Sequence, residues 1–566
     1  MTVTIPDTEY HRKIRSDFRT FLHLVHMHLG LPDPTPVQKD ISKYIMSGPK
    51  RSMVQAFRGV GKSHITSAYV VWRLLCDPEE KILVVSASKD RADQFSTFTQ
   101  RLIQELDGLE YLIPSGEQRN SKIAFDVAPA KASHSPSVKS VGITGQLTGS
   151  RADLIIADDI EVLNNSATQQ MRDKLSELVK EFDAILKPDD ESRILYLGTP
   201  QCEDSLYNKM DDRGYETRIW PARMPTQDQT VKYGGALAPY FKTLKGVNAG
   251  DPTDPLRFDN QDLLEREASY GKAGFAMQFQ LNTQLSDTER YPLKVRDLVI
   301  MACDPEEGPL KVAWGPNEDK VLNELTNVAM SGDRMYPPMN IGETFAPYTG
   351  CVMSIDPSGR GKDETGYAVV KMLNSIQFVV ACGGIQGGYD DDTLTELSYI
   401  AKKHNVNHVI VESNFGDGMY TKMLQPVLNK IHPCMMEEVR HSTQKERRII
   451  DTIEPVMARH RLVVDPSVIE SDWKTIQKYD SHDRLHKSLV YQMTRVSYQK
   501  GSLRHDDRLD ALSMAVAYWV EQMSADQQAT EDDIKSEWMK EQLTSYMDNA
   551  FSTTREKGSH KANWIN

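Results

Sequence analysis

The amino-acid sequence predicts an α/β protein in which two sheet-containing domains follow one another. Short apolar segments of strand type, such as KILVVSAS at 81–88, alternate with longer segments of helical period. This alternation is typical of a parallel sheet with helices on both faces. Several apolar segments end in carboxylate residues, at the strand ends where open α/β sheets bind their ligands. The 566 residues leave room for roughly two to four domains of about 150 residues.

Composition indicates a folded protein of a reducing compartment. Hydrophobic residues make up 39% of the chain and charged residues 26%. The net charge of −13 argues against a simple nucleic-acid coat, although an acidic enzyme can still line one groove with basic groups. The six cysteines are scattered, so we expect neither a disulfide framework nor a zinc site. Without a signal core or a long apolar run, the chain is predicted to be cytosolic and to have no membrane partner.

The stretch QAFRGVGKSH at 55–64 nearly matches a phosphate-binding loop. The pattern G-x-x-x-x-G-K-[ST] is complete at its end in Gly61, Lys62 and Ser63, but Ala56 stands at the position of the first glycine. A segment of buried-strand type precedes the loop and a segment of helical period follows it, which is the context that the motif needs. Alanine can fill the first position if its φ stays negative.

Each part of this loop has a predicted role in binding ATP. Backbone N–H groups of the glycine-containing turn would converge on the phosphates at a helix N-terminus. Lys62 would reach the β and γ phosphates, and Ser63 would hold Mg²⁺. Gln38 could recognise adenine through its amide, or could be an ordinary surface glutamine. The predicted nucleotide-binding residues are Gln38, Ala56, Phe57, Arg58, Gly59, Val60, Gly61, Lys62, Ser63, Asp158 and Thr199.

A strand tipped with acids supplies the rest of the predicted ATPase site. The stretch RADLIIADDIE at 151–161 predicts a buried strand that ends in Asp158 and Asp159. Asp158 is the natural partner of Mg²⁺, and Asp159 is the predicted base that orients the attacking water. Glu161, two residues further on, is the alternative base.

Two arginines and a threonine are further candidates for this chemistry. Arg58, inside the loop, could stabilise transition-state charge as an arginine finger, or could be a surface arginine on a loop. Arg151 is a weaker candidate for a finger offered to a neighbouring subunit. Thr199, which follows the apolar stretch RILYLG, could sense the γ-phosphate.

The rest of the chain divides by composition. Between about 220 and 345 it is rich in Pro, Gly, Asp and Asn, apart from a helical segment at 263–281. From 524 onward it is polar and charged. We therefore expect an ATPase domain with an N-terminal helical segment at 1–285, a linker at 286–345, a second domain at 346–523 and a tail at 524–566.

Three acid-bearing segments in the second domain predict a metal-dependent nuclease. A β-hairpin segment at 350–370 carries Asp356, the apolar strand HVIVE ends in Glu412, and the start of an amphipathic helix carries Asp507. Hard divalent cations prefer oxygen ligands. Two Mg²⁺ or Mn²⁺ ions roughly 3.5–4 Å apart can activate water and stabilise the leaving oxygen in phosphodiester cleavage. The order strand, strand, helix is that of a ribonuclease-H-type site.

Several alternatives stay open at this second site. Asp510, one helical turn after Asp507, is the other candidate for the third ligand. Asp363 and Asp417 are further candidates, and Asp506 could act only as a helix cap. Basic residues nearby could contact DNA phosphates along a groove, or could form a solvated helix face. These are Lys445, Arg447, Arg448, Arg459, Arg461, Lys474, Lys478, Arg484 and Lys487.

With both sets of residues in view, the chain resembles the large terminase subunits of tailed bacteriophages, in particular those of short-tailed phages. The resemblance spans about residues 35 to 520. The motifs that carry it are AFRGVGKS, VKSVGITGQLTGSRADLIIADDIE, YLGTPQ, YGKAGFAMQFQLN, IDPSGRGKDETGYAV, VESNFGDG and HDDRLDAL.

This resemblance implies a motor that hydrolyses ATP to pump double-stranded genomic DNA into an empty capsid and then cuts it from a concatemer. It implies an ATPase domain of the ASCE class and a nuclease domain of ribonuclease-H-like fold. It also implies a ring of five subunits docked on the portal through the tail, a small terminase subunit as partner, and a place in the host cytoplasm but not in the mature virion.

Family roles carry over to matching positions, with two departures. The resemblance assigns Lys62, Ser63 and Asp158 to the nucleotide, and Asp356, Glu412 and Asp507 to the nuclease metals. Ala56 departs from the first loop glycine, and Asp159 departs from the usual glutamate, which leaves the ATPase base open. The alternatives of other classes are a helicase–nuclease of recombination or repair, and a nucleotide-gated assembly protein without catalysis.

Overall fold

The computed structural model describes residues 5–147, 149–358, 363–413, 418–441, 443–523 and 540. Apart from residue 540, the predicted tail lies outside this described part. The chain forms two compact units, the first comprising Met1–Tyr291 with Gln499–Arg504 and the second comprising Pro292–Tyr498 with His505–Asn566. Residues 292–345 of the predicted linker therefore group with the second unit. Among the described helices, none is both long and apolar enough to cross a membrane.

The first unit surrounds one sheet with helices. Its helices are α1 (Glu9–Ser16), α2 (Phe18–His28), α3 (Pro36–Ser47), α4 (Lys62–Cys76), α5 (Lys89–Glu105), α6 (Leu163–Ser166), α7 (Gln169–Leu178), α8 (Glu181–Ile185), α9 (Gln227–Tyr233), α10 (Asn260–Gln278) and α11 (Gln284–Arg290). Its strands are β1 (Arg51–Ala56), β2 (Ile82–Ser86), β3 (Ala124–Phe125), β4 (Val138–Gly142), β5 (Leu154–Asp158), β6 (Arg193–Gly198) and β7 (Glu216–Trp220).

These seven strands confirm the predicted parallel sheet. Their order is β3-β4-β2-β5-β6-β1-β7, and every neighbouring pair is parallel except β3 with β4. The central strands β1, β2, β5 and β6 are buried almost throughout, as expected for a sheet covered on both faces. Because β1 and β5 both pair with β6 in parallel, their carboxyl ends meet at one edge of the sheet.

The second unit is also built on a seven-stranded sheet. Its helices are α12 (Asp391–Lys403), α13 (Met419–Ile431), α14 (Lys445–Ala458), α15 (Pro466–Ile476), α16 (Ser481–Arg484), α17 (Leu489–Arg495) and α18 (507–523). Its strands are β8 (Val299–Ile300), β9 (Glu307–Pro309), β10 (Val312–Ala313), β11 (Asn340–Ile341), β12 (Phe345–Pro347), β13 (Gly350–Asp356), β14 (Glu364–Leu373), β15 (Ile376–Gln386), β16 (His408–Glu412), β17 (Met435–Val439) and β18 (Leu462–Val464).

The topology of this sheet is ribonuclease-H-like, as predicted. The strand order is β17-β16-β13-β14-β15-β18-β8. Strands β13, β14 and β15 are successive antiparallel neighbours, whereas β16 is parallel to β13 and β17 is parallel to β16. Since Ile355 pairs with Val411, the acids that end β13 and β16 lie side by side. The strands β9 with β12 and β10 with β11 form separate small ribbons.

Candidate nucleotide and metal sites

The loop over 57–61 joins β1 to α4 with the backbone of a phosphate-binding loop. Gly59 and Gly61 have φ angles of 89° and 95°, left-handed values that glycine adopts without a steric penalty. Ala56 ends β1 and is fully buried, and it does not belong to the residues with positive φ. Ala56 therefore avoids a positive φ, which is the condition under which alanine can replace the first glycine of the motif.

Lys62 begins α4 and directs its ammonium group back into the loop. Its Nζ donates to the carbonyl of Ala56 at 2.7 Å and to Thr199 Oγ1 at 3.4 Å. Burial lowers the pKa of Lys62, although the nearby Asp159 and Asp158 oppose that effect. The lysine, the threonine and the acids thus lie together at the carboxyl edge of the sheet.

Asp158 and Ser63 form the part of this edge that fits a divalent cation. Asp158 ends β5, and the nearby Ser63 side chain acts to lower the pKa of its carboxyl group. Its Oδ1 is buried and has no hydrogen-bond partner among the described residues. Burial, reinforced by the neighbouring Asp159, raises the pKa of Asp158 to about 7. Because a buried carboxylate oxygen without a donor is costly, a bound Mg²⁺ would relieve that cost.

The two candidate bases differ in how strongly they are held. Glu161 is buried, and its carboxylate accepts backbone hydrogen bonds from Leu206 at 2.7 Å and Gln201 at 3.4 Å. Asp159 is only partly buried, with a positive φ of 47°. A left-handed backbone is uncommon outside glycine and is often found at functional sites. Asp159 is therefore the freer of the two carboxylates, which supports it as the base.

The carboxylates of Asp159 and Glu161 line a cavity of about 620 Å³ together with the phosphate-binding loop. The predicted residues that line it are Arg58, Gly59, Gly61, Lys62, Ser63, Asp159, Glu161 and Thr199. The cavity also includes Arg91 and Arg257, which belong to no motif in the sequence. Arg257 donates from Nε to the carbonyl of Gly59 at 3.1 Å. Only this long-range contact identifies Arg257 as part of the site.

Other predicted nucleotide-binding residues lie behind the cavity wall. Ala56, Phe57 and Val60 are fully buried. Gln38 is buried too, and its amide accepts from the Thr35 backbone at 3.0 Å and donates to the Val60 carbonyl at 2.8 Å. The Gln38 amide therefore holds the phosphate loop, and its contact with adenine stays a prediction.

The two candidate arginine fingers have different positions. Arg58 lines the cavity, and its backbone N–H donates to the Gln278 carbonyl at 2.9 Å. Arg151 precedes β5 and donates to the Ala184 carbonyl at 3.1 Å, at the end of the strand opposite to Asp158. It therefore lies away from the nucleotide cavity of its own chain.

In the second unit, three carboxylates converge at the ends of β13, β16 and the first turn of α18. Ligand atoms of Asp356, Glu412 and Asp510 all lie within 4.8 Å of one another. Glu412 Oε1 and Asp510 Oδ2 are buried, and the side chains of Arg448 and Lys445 approach them as cations. We call these three residues the first acid cluster. Its oxygen-only donor set is the kind that Mg²⁺ and Mn²⁺ prefer.

A second acid cluster lies nearby and consists of Asp363, His505 and Asp507. Its ligand atoms also lie within 4.8 Å of one another. His505 contacts Asp363 and Asp483, with 3.1 Å from ring nitrogen to carboxylate oxygen in each case. His505 was not among the predicted ligands, although its place directly before two aspartates was a usable signal.

This arrangement favours Asp510, the alternative that the sequence left open, over Asp507 as the third residue beside Asp356 and Glu412. The structure brings Asp510 to those two residues and places Asp507 in the second acid cluster. Both aspartates lie in the first turn of α18, which begins at 507, so their spacing alone does not decide which one faces the strand ends. Asp417 lies outside the described residues.

A lysine side chain contacts carboxylates of each acid cluster. Lys445 Nζ lies 2.9 Å from Asp510 Oδ2 and 3.6 Å from Asp356 Oδ2. Lys487 Nζ lies 3.4 Å from Asp363 Oδ1 and 3.6 Å from Asp507 Oδ2. The two lysines, predicted as DNA contacts, thus serve as counter-charges to the acids. Their ammonium groups contact carboxylates that could also bind a metal ion.

A third predicted DNA contact, Arg448, also pairs with the first acid cluster. Its Nη2 lies 2.7 Å from Asp510 Oδ1 and 3.6 Å from Glu412 Oε1. Of the remaining basic residues, Arg447 pairs with Asp451 at the surface and Arg484 donates to the carbonyl of Tyr479. Contacts of any of these residues with DNA stay predictions.

The crowding of acids raises their proton affinity. Burial, together with the charges of Asp510 and Glu412, raises the pKa of Asp356 well above its usual range despite the opposing Lys445. Burial is also the main cause that raises the pKa of Asp507 to about 7. Carboxylates that are costly to ionise together are stabilised by cations. Both acid clusters therefore fit divalent metal ions.

Comparison with known proteins finds relatives over nearly the whole chain. The family model described as Terminase Bacteriophage T7, Ribonuclease H-like domain, matches residues 355–462. The curated terminase large subunit of Enterobacteria phage T3 is 48% identical over 538 residues. That alignment covers 94% of this chain and 92% of the relative.

Solved structures with a detectable likeness are far more distant. The large terminase of bacteriophage HK97 is 12% identical, with 89% of this chain and 99% of that chain covered and a TM-score of 0.40. The nuclease domain of human cytomegalovirus terminase, soaked with Mn and bound to an inhibitor, is 11% identical, with 30% and 83% covered and a TM-score of 0.23. At these TM-scores the likenesses carry no argument about this chain.

Proposed function

The chain belongs to the family of large terminase subunits, which hydrolyse ATP and cleave DNA during viral genome packaging, and on that premise we propose which residues carry each activity. The alternative of a helicase–nuclease has no support from the comparisons. Since the two units each hold one candidate site, the first unit is assigned the ATPase activity and the second the nuclease activity.

ATP with Mg²⁺ binds in the cavity beside the phosphate loop. Lys62 holds the β and γ phosphates, and Ser63 with Asp158 holds the metal ion. The observation that carries this assignment is the buried, unpartnered Oδ1 of Asp158 beside the Ser63 hydroxyl. Bound Mg²⁺ would neutralise phosphate charge, while Asp159 orients the attacking water.

Residues around the triphosphate add charge stabilisation and sensing. Arg58 lines the same cavity, so it acts as the finger within its own chain. Arg151 is then a finger only for a neighbouring subunit. Thr199 lies 3.4 Å from Lys62 Nζ, close enough to sense the γ-phosphate that this lysine binds.

The nuclease uses two divalent metal ions, one at each acid cluster. Asp356, Glu412 and Asp510 hold the first ion, and Asp507 with Asp363 holds the second. Support comes from the three carboxylates of the first acid cluster, whose ligand atoms lie within 4.8 Å of one another and so concentrate negative charge that a cation stabilises. Mg²⁺ or Mn²⁺ at such a site activates water and stabilises the leaving oxygen.

Lys445 and Lys487 offset part of the negative charge of the acid clusters and turn towards DNA phosphates when metal ions bind. Each ammonium lies within 4 Å of at least two carboxylates, so a metal ion and the lysine compete for the same oxygens. Displaced lysines on long flexible side chains can reach a phosphate of the backbone.

As a member of this family, the chain works on double-stranded DNA as part of a packaging machine. We further propose that five copies form a ring on the capsid portal, that the tail at 524–566 docks there, and that a small terminase subunit delivers the DNA. The protein would then work in the host cytoplasm and leave before the virion matures. These partners rest on family membership alone.

Plasmid cleavage by the full chain tests the metal assignment. We expect cleavage in Mg²⁺ or Mn²⁺, none in EDTA, and a loss of at least about 100-fold in Asp356→Asn and Asp510→Asn. Asp319→Asn, which makes the same change at an exposed aspartate outside both acid clusters, is the matched control and should cut normally. Undiminished cleavage by Asp510→Asn would contradict the assignment.

A further inference from the structure

Arg508 lies between Asp507 and Asp510 in the first turn of α18, yet it points away from both acid clusters into the core. Its Nε and Nη2 donate to the two carboxylate oxygens of Glu364 at 3.0 and 2.9 Å. Its Nη1 donates to Asp472 Oδ1 at 2.7 Å. The side chains of Arg508, Glu364 and Asp472 are 0, 0 and 2% exposed. This is a fully buried network of charges.

The two acids of the network hold further elements of the second unit. Glu364 Oε1 accepts a hydrogen bond from the Tyr479 hydroxyl at 2.6 Å. Asp472 accepts from Ser488 Oγ at 2.6 Å and from the Leu489 backbone at 2.8 Å. Arg508 thereby connects α18 to the start of β14, to α15 and to the start of α17. Because burying three charges is expensive, added stability alone is a weak reason for such a network.

Glu364, Arg508 and Ser488, which Asp472 joins to the network, each stand next in the chain to a residue of the second acid cluster or to Lys487. Glu364 follows Asp363, Arg508 follows Asp507, and Ser488 follows Lys487. In each of these pairs the buried network fixes the position of the inward-facing residue. The backbone of the adjacent residue, which faces the second acid cluster, is therefore fixed as well. The network thus controls three separate chain segments at the same site.

Two glycines make the space that this arrangement needs. Gly366 on β14 pairs with Gly384 on β15. A Cβ added to Gly366 would collide with the carbonyl oxygen of Asp507, and one added to Gly384 would collide with the carboxylate of Glu364. The sheet therefore lets α18 and the Glu364 carboxylate approach the strands more closely than any side chain would permit.

We propose that Arg508 is a positioning residue, which fixes Asp507 and Asp363 for the second metal ion through its buried pairs with Glu364 and Asp472. The inference deepens the proposed nuclease function and rests on the assignment of two metal ions. Arg508 touches neither metal nor DNA in this account. Arg508 determines the position of the second acid cluster. The position of the first acid cluster depends less on Arg508, because β13 and β16 position Asp356 and Glu412.

Mn²⁺ binding to the full chain without nucleotide or DNA tests this role, with free Mn²⁺ followed by electron paramagnetic resonance. Arg508→Lys keeps the charge and loses the two-pronged contact with Glu364. We expect wild type to bind two ions at the acid clusters. In the variant the dissociation constant of one ion should rise at least tenfold, while the other stays within about twofold and the circular dichroism spectrum is unchanged.

Arg73→Lys is the control, since Arg73 also pairs with a buried acid, Glu80, at 2.6 Å but in the first unit. It should lower thermal stability and leave both Mn²⁺ constants unchanged.

If Arg508→Lys does not fold, Glu364→Gln, which removes one charge at constant volume, decides with the same readouts. Two ions bound as tightly by the variant as by wild type would overturn the positioning role alone. A single ion in wild type would overturn the two-ion assignment as well.

Discussion

Single side chains at both sites are held in states that favour a cation. Burial raises the pKa of Asp158 and of Asp507 to about 7 in each case. Glu161 is buried too, but two backbone N–H groups satisfy its carboxylate. This contrast separates carboxylates that the fold has satisfied from carboxylates that are left for chemistry.

We propose Asp159 as the ATPase base, because its partly buried carboxylate is less constrained than the carboxylate of Glu161. Asp159→Asn should lower the rate of ATP hydrolysis about 10²–10⁴-fold with nucleotide affinity kept, because the water loses its general base. Glu161→Gln should retain more activity and lose stability, since its role is to hold the loop that follows β6. Steady-state hydrolysis and affinity for a non-hydrolysable analogue measure both. If Glu161→Gln lost ATP hydrolysis while Asp159→Asn kept it, Glu161 and not Asp159 would be the base.

Asp287 on α11 gives the first unit a specific pH dependence of stability. Burial raises its pKa from 3.8 to about 6, although the Glu203 backbone donates to it at 2.8 Å. The folded state therefore holds the Asp287 proton more tightly than the unfolded state does. The free energy of unfolding should fall as pH rises from about 4 to about 6, by up to about 3 kcal/mol from this group.

Denaturant unfolding at pH 4, 5, 6 and 7 checks this effect, with Asp287→Asn as the comparison. The variant has no charge at this position, so its stability should fall less over the same interval. Equal pH profiles for wild type and variant would show that the Asp287 carboxylate ionises in the folded state without penalty.

At the scale of helices and strands, close approach of α18 to β14 shapes the nuclease site. Gly366→Ala should leave ATP hydrolysis unchanged and lower plasmid cleavage at least tenfold, because the new Cβ collides with the Asp507 carbonyl and displaces the start of α18. Gly235→Ala is the control, since a Cβ there meets nothing within 4 Å. Normal cleavage by Gly366→Ala would mean that the helix start can shift without harm.

Strand ends are the part of both sites that local sequence predicts well. Asp158, Asp356 and Glu412 each end an apolar run, and parallel pairing then brings such ends together. The face that α18 turns to the sheet was not predictable in the same way. It depends on Arg508 and its partners Glu364 and Asp472, which lie 144 and 36 residues away in the chain.

Long-range contacts also explain why the sequence did not predict the structural role of Gln38 or the presence of Arg257 at the nucleotide site. Gln38 holds the phosphate loop through the Val60 carbonyl, 22 residues on, and Arg257 reaches the Gly59 carbonyl over 198 residues. Neither contact leaves a periodic or motif signal. His505 stood directly before two aspartates, and a search for mixed histidine and carboxylate ligands would have included it.

At the scale of the whole molecule, the two compact units each contain a complete set of candidate catalytic residues. The phosphate loop, Asp158 and Asp159 belong to the first unit. Both acid clusters belong to the second. We therefore expect ATP hydrolysis and DNA cleavage to be activities with separate chemistry in one chain.

The most direct test of this account compares Lys62→Ala and Asp356→Asn in the full chain, with ATP hydrolysis and cleavage of naked plasmid measured side by side. Lys62→Ala should lose ATP hydrolysis and packaging yet still cut the plasmid. Asp356→Asn should hydrolyse ATP normally and cut nothing. If either single substitution abolished both activities in a folded protein, the two sites would not be independent and the central claim would be wrong.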